Sequence, residues 1–164
     1  MHDSFSLLPP YSRVWIFQTD RFLTGSECRE IQLRLNDFIP NWASHGNGLN
    51  GGFKLEKNLF VIVGVDESKS MASGCSIDSL TRVIKELGTA LNVDFFNRLA
   101  IAYENQQGKL EIVSMTAFKA LISSSQVNYD TVVFNNLVAS KEEFDQKWRT
   151  NVGQSWHANL FQLA

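Results

Sequence analysis

The residues of this chain whose types suit chemistry are one thiol, two imidazoles and a guanidinium. Cys75 stands in Ser73-Gly74-Cys75-Ser76-Ile77-Asp78, a glycine-containing turn that reads as the start of a helix. A thiol placed there faces free backbone amides and the positive end of the helix dipole, a setting that favours thiolates and bound anions. A nucleophile also needs a base and an oxyanion site. His45, in Trp42-Ala43-Ser44-His45-Gly46, and His157, in Ser155-Trp156-His157, are the two bases available, and the amides of Ser76 and Ile77 would hold the oxyanion. The plainer reading of Cys75 is an inert thiol packed under the turn, because buried structural thiols are common. His2 sits in the N-terminal arm and is set aside.

Around that thiol a ligand-binding set can be drawn from Ser73, Gly74, Ser76, Asp66, Arg98 and Trp42. Arg98 would clamp an anionic group or else pair with Asp94. Asp66 and Glu67 end an apolar strand. There they would orient a histidine, bind a metal with His45, or simply be solvated. Asp78 suits the first turn of a helix. A phosphatase-type CxxxxxR loop does not fit, since Thr81 stands where the arginine belongs and Arg82 comes one residue late. No CxxC or HExxH occurs, so neither a structural zinc nor any cofactor is expected.

Composition narrows the class. The 164 residues, 44% hydrophobic and 12% aromatic, suffice for one full core. The 15 basic and 17 acidic residues are interspersed and nearly balanced, which argues against a nucleic-acid surface built on bulk charge. No apolar run approaches the ~18 residues of a membrane span. The first ten residues lack the basic start and sustained apolar core of a signal peptide. Two cysteines, Cys28 and Cys75, do not make a disulfide scaffold, so a reducing, cytoplasmic compartment is expected.

These residues must be positioned by the elements that the sequence predicts. Residues 1–12 read as a flexible arm kept extended by Pro9-Pro10, and residues 13–164 as a single α+β domain. Arg13 to Gln18 reads as a first strand. Thr24 and Glu27 have capping-box spacing, and Cys28, Ile31, Leu35 and Phe38 form a helical face that Pro40 ends. Cys28 is then a small core residue. Trp42 to His45 reads as a short antiparallel strand, with the Gly/Asn-rich loop as its hairpin. The chain re-enters strand at Phe53, and Leu59 to Val65 is its doubly covered part. Ser76 is the expected N-cap of a helix with the stripe Ile77, Leu80, Val83, Ile84, Leu87 and Leu91. Residues 99–103 and 110–113 form a hairpin. A short helix over 117–123 follows, then a strand over 131–134 and a helix that Ser140 and Glu143 would cap. The aromatic tail is expected to fold back. The first six elements match a ferredoxin-like βαββαβ unit, with a C-terminal β-α-β-α extension. The fold class is therefore α+β with a mainly antiparallel sheet, and a doubly wound α/β sheet is the alternative.

Several of these clusters resemble those of a family of short bacterial proteins of uncharacterised function. The resemblance runs from Trp15 onward, through Trp42-Ala43-Ser44-His45-Gly46, Asp66-Glu67, Ser73-Gly74-Cys75-Ser76-Ile77-Asp78, Asp94-Phe95-Phe96-Asn97-Arg98, Phe134-Asn135-Asn136 and Ser155-Trp156-His157. Members have been labelled "ABC transporter ATPase". A P-loop needs GxxxxGK[ST], which this chain does not contain. The resemblance implies no activity, only that these clusters meet in space.

Two functions follow from the sequence. The first is a non-catalytic module that binds a small anionic ligand or a protein partner, with exposed strand edges that allow a homodimer. The alternative is a thiol-dependent hydrolase or transferase with Cys75 as nucleophile and His45 as base. Neither nucleic acid nor membrane is expected as a partner.

Overall fold

The strand Phe60–Asp66 is apolar from Phe60 to Val65, so neither of its faces can be left to water. The computed structural model, which describes residues 3–162, shows every one of those six residues buried. His2 and the last two residues lie outside the described residues. Contacts divide the chain into two compact units, residues 1–96 with 139–142 and residues 97–138 with 143–164.

In the first unit, strand β1 (Arg13–Gln18) leads to helix α1 (Gly25–Asn41). Next come the short strands β2 (Ala43–Ser44) and β3 (Asn47–Gly48), then β4 (Asn50–Glu56), β5 (Phe60–Asp66) and helix α2 (Gly74–Leu91). The sheet order is β1-β5-β4, with β5 antiparallel to both neighbours. β1 and β4 therefore run parallel on either side of it, as in a split βαβ unit. The expected fourth strand of a ferredoxin-like unit is not in this sheet. Residues 99–103 instead contribute to β6 of the second unit.

One face of the sheet carries Val61, Val63 and Val65 into a core with Ile31, Leu35, Leu80, Ile84 and Phe53. Arg21 ties the start of α1 to the end of α2. Arg21 donates to both carboxylate oxygens of Glu27, at 2.9 and 2.7 Å, and to the Leu91 carbonyl at 2.8 Å. That guanidinium, with the Thr24 amide, holds the Glu27 carboxyl down at about 2. Thr24 and Glu27 form the capping box their spacing predicts. Pro40 lies inside α1, which runs one residue further before Trp42 caps it.

The other face corrects the flexible arm. Phe5 is fully buried and Leu8 is 6% exposed. They lie over Gly52 and Gly64, which stand directly opposite each other in β4 and β5. A methyl group on Gly64 would sit 2.8 Å from Leu8 Cδ1, and one on Gly52 would sit 2.5 Å from the Ser4 carbonyl oxygen. The two glycines leave the depth that the arm fills. Burying the Phe5 ring stabilises this packing by about 2 kcal/mol, roughly the cost of ordering one residue, so Leu8 and the Ser4 hydrogen bonds must contribute as well.

Two hairpins also depart from expectation. His45 (φ 51°) and Gly46 (φ 80°) make a two-residue turn between β2 and β3, so the Trp42–His45 segment pairs with its own continuation. Lys57 (φ 59°) and Asn58 (φ 54°) likewise turn β4 into β5 and split the expected single strand. Paired positive φ values match the right-handed twist of a tight hairpin.

The second unit holds a four-stranded sheet ordered β7-β6-β8-β9 and antiparallel throughout. Its strands are β6 (Ala100–Glu104), β7 (Leu110–Ser114), β8 (Val132–Phe134) and β9 (Arg149–Asn151). Helix α3 (Met115–Ser123) is capped by Ser114, whose hydroxyl accepts from the Ala117 amide at 3.0 Å. Helix α4 (Lys141–Lys147) follows β8. The tail does fold back: Leu160 and His157 are buried, and Leu160 packs in a core with Ile101, Phe118, Val133 and Val152. All three sheets among the described residues are antiparallel and the helices are mixed with them, so the fold is α+β rather than doubly wound.

Gly88 of α2 tests the packing against intrinsic propensity. Alanine in a helix interior favours stability by up to about 1 kcal/mol over glycine. Here its methyl would lie 2.8 Å from the Val93 carbonyl oxygen, backbone that the chain reversal fixes. Gly88→Ala is therefore expected to lose about 1–2 kcal/mol in urea unfolding. A gain would show that the reversal gives way freely.

Candidate functional site

In the first unit Asp94-Phe95-Phe96 lies at the far end of α2, while the segments around Trp42, Asp66-Glu67 and residues 73–78 lie at the end of the sheet where β5 finishes. The chain there passes from Asp66-Glu67 through a polar connection into α2. Ser73, not Ser76, is the N-cap. Its hydroxyl accepts from the Ser76 amide at 3.2 Å, while the Ser73 amide donates to the Ser76 hydroxyl at 2.7 Å. Serine thus fills the third position that Glu or Gln usually takes in a capping box. The shift moves Cys75 from before the helix to its second residue. Gly74 and Cys75 keep the first two amides, which take no hydrogen bond among the described residues.

The Cys75 side chain is exposed, so it is not the packed thiol of the plainer reading, whereas Cys28 is buried. Burial raises the Cys28 thiol above its usual range. Among the described residues no hydrogen bond joins the Cys75 sulfur to either histidine. His45 is exposed at the tip of the β2–β3 turn, in the left-handed conformation that the turn demands. Its presence in the turn is explained by backbone geometry without a chemical role.

Trp42 is what holds this end together. It is 2% exposed, and its indole N–H donates to the Ser76 carbonyl at 2.8 Å. The C-cap of α1 is thereby fastened to the first turn of α2. Trp15 of β1 meets Trp42 edge-on at 5.9 Å, and the Arg13 guanidinium lies 4.9 Å over the Trp15 ring. Arg13 also approaches Glu67 at 4.0 Å, and Glu67 accepts from the Ala72 amide at 2.8 Å. Asp66 accepts from the Ser68 amide at 3.0 Å and from Asn50 at 3.4 Å. The Ser68 bonds lower its carboxyl below the ordinary range. Both acids are thus engaged in shaping the turn. Arg13 and Trp15 were not singled out in the sequence, although their i, i+2 spacing in a strand places them on one face.

His157 belongs to the second unit, and its surroundings are those of an anchor. It is 2% exposed, stacked on Trp156 at 3.9 Å and edge-on to Phe118 at 6.1 Å. Its Nδ1 shares a 2.7 Å hydrogen bond with the Ser155 hydroxyl. Desolvation pushes its pKa down to about 4. A ring sealed in this way cannot serve as a freely approached base. Arg98 is exposed in the loop before β6 and has no ion pair among the described residues. Asp94, its suggested partner, instead accepts from the Phe96 amide at 2.8 Å.

A separate open cleft of about 450 Å³ lies at the far end of α2, lined by Asp20, Lys85, Thr89, Asn92, Asp94 and Phe96 among others. The sequence carried no signal for it, since its residues come from the loop after β1, the C-terminal part of α2 and the loop that follows. Among the described residues no three His, Cys, Asp or Glu side chains converge as a metal site, and no helix is long and apolar enough to cross a membrane. Comparison with protein-family models, curated proteins and solved structures finds no match.

The buried His157 makes stability depend on pH. Its folded pKa, about 4, is below the ordinary 6.5, so the neutral ring is favoured in the folded state. That contribution is complete above about 6.5 and is lost as pH falls toward 4. Between pH 7 and pH 5 the loss is expected to reach about 2 kcal/mol in urea unfolding, before most carboxylates titrate. His157→Phe should flatten that slope. An unchanged slope would place the titrating group elsewhere.

Proposed function

We propose that the protein is a non-catalytic binding module whose first unit presents the end of its sheet to a small anionic ligand. What carries this reading is the state of Cys75. It is exposed beside two amides that are unbonded among the described residues, where no base is hydrogen-bonded to it either, and the buried His157 is spent as a core anchor. Catalysis by a thiol requires its base within hydrogen-bond reach, about 2.6–3.2 Å. Recognition requires only donors and a shaped wall. The Gly74 and Cys75 amides supply the donors, Arg13 supplies a positive charge partly offset by Glu67, and the half-buried Trp15 supplies the wall, backed by the buried Trp42. Free thiols at both cysteines fit a reducing, cytoplasmic setting. A thiol-dependent hydrolase or transferase is the second reading, favoured by the exposure of Cys75 and by contacts between β2 and α2, which bring the His45 hairpin toward that helix.

Two measurements separate them. Titration of the intact protein with inorganic phosphate should shift the Gly74 and Cys75 amide resonances and the Trp42 indole resonance. No shift at millimolar phosphate would remove the anionic ligand. With p-nitrophenyl acetate, the binding reading expects turnover by the wild type within twofold of Cys75→Ser. A burst of p-nitrophenol lost in both Cys75→Ser and His45→Ala would establish the enzyme reading instead.

A further inference from the structure

The three-stranded sheet has two edges, and the chain treats them differently. The outer edge of β1 is met by backbone: the Val14 amide donates to the Ala139 carbonyl at 3.0 Å, and Arg13 bridges Ser140. The outer edge of β4 is met by a side chain. The Ser4 hydroxyl accepts from the Phe53 amide at 2.9 Å and donates to the Phe53 carbonyl at 3.4 Å. Phe53 is therefore a residue whose N–H and C=O face away from β5, as do Gly51 and Leu55 two residues to either side.

Those two atoms are the pair that a second copy of β4 would take. Two antiparallel β4 strands related by a two-fold axis at Phe53 would exchange N–H···O bonds between the two Phe53 residues. A serine hydroxyl, both donor and acceptor, substitutes for that partner residue. In such a pair Gly52 would stand opposite Lys54 of the other copy, leaving room for its chain. Each Lys54 is already paired with Glu56 at 3.2 Å, which limits repulsion across the axis. The arm is held in place by more than its hydroxyl. Phe5 is fully buried, Lys54 lies 5.4 Å over its ring, and Gly52 admits the Ser4 backbone closer than any side chain would.

We infer that the Ser4–Leu8 segment is an edge guard that keeps β4 from pairing with β4 of a second copy of this chain, so that releasing the segment makes a two-fold dimer. Strand edges left open are templates for such pairing, and covering them is the usual remedy. The guard concerns an edge strand and does not depend on the ligand proposed above.

The test uses the full chain. Phe5→Asp places a carboxylate in a sealed slot, and Gly52→Val drives a side chain into the Ser4 backbone, so each evicts the segment by a different route. Chymotrypsin cleavage between Phe5 and Tyr11 reports release, and light scattering on a sizing column reports mass. Wild type should be resistant and monomeric, and both variants cleaved and dimeric at micromolar concentration. Adding Gly51→Pro, which removes an outward-facing N–H of β4, should return the Phe5→Asp chain to monomer. Ser4→Ala leaves Phe5 in its slot and should itself dimerise, at a concentration at least tenfold higher than the eviction variants where those fold. A wild type that is already dimeric, a folded and cleaved variant that stays monomeric, a dimer that survives Gly51→Pro, or a Ser4→Ala chain monomeric at every concentration would each overturn the inference.

Discussion

The constraint on which the first unit rests is a strand with no polar face. Phe60 to Val65 must be covered above and below, and a sheet of only three strands offers little width for doing so. Helices α1 and α2 cover one side with a conventional aliphatic core. The other side is reached in part by a few residues from the start of the chain. That is practicable only because two glycines sit side by side in β4 and β5 and let an aromatic ring descend to the backbone. Covering the strand with a short segment has a second consequence. The same segment lies along β4, where a hydroxyl occupies the outward-facing bonds of Phe53.

The end of the sheet where Cys75 sits depends on another local arrangement, the reciprocal bonding of Ser73 and Ser76. The cap fixes which amides of α2 remain free and places the thiol on the helix rather than ahead of it. Trp42 then joins that first turn to the end of α1 through its indole N–H. One tryptophan thereby couples two helices that approach the same strand end from different parts of the chain. The acids beside it are bound into the β5–α2 connection, which leaves Arg13 as the charged group that overlies the aromatic wall.

Much of the organisation follows from local rules. The capping box at Thr24 and Glu27, the stripes of α1 and α2, the hairpin of β6 and β7 and the return of the aromatic tail are each set by residues within a few positions of one another. The turn at Lys57-Asn58 is the exception that misleads. Asn58 suits positive φ but Lys57 seldom adopts it, so the hairpin is weakly marked and β4 and β5 read as one strand. The cap of α2 is similar: Ser73 and Ser76 are both good cap residues, and only the direction in which the second hydroxyl turns decides between them.

Periodicity, caps and composition by themselves determined the α+β class, most helices and the short set of residues fit for chemistry. Only tertiary structure decided which of those residues have neighbours that matter. Whether Cys75 is exposed, whether His157 is sealed between aromatic rings, and whether residues 3–8 lie on the sheet all depend on contacts between positions tens of residues apart. A sequence pattern reports what a residue is able to do. The dielectric around it and the partner within 3 Å of it are properties of the folded chain, and these govern its charge and its reach.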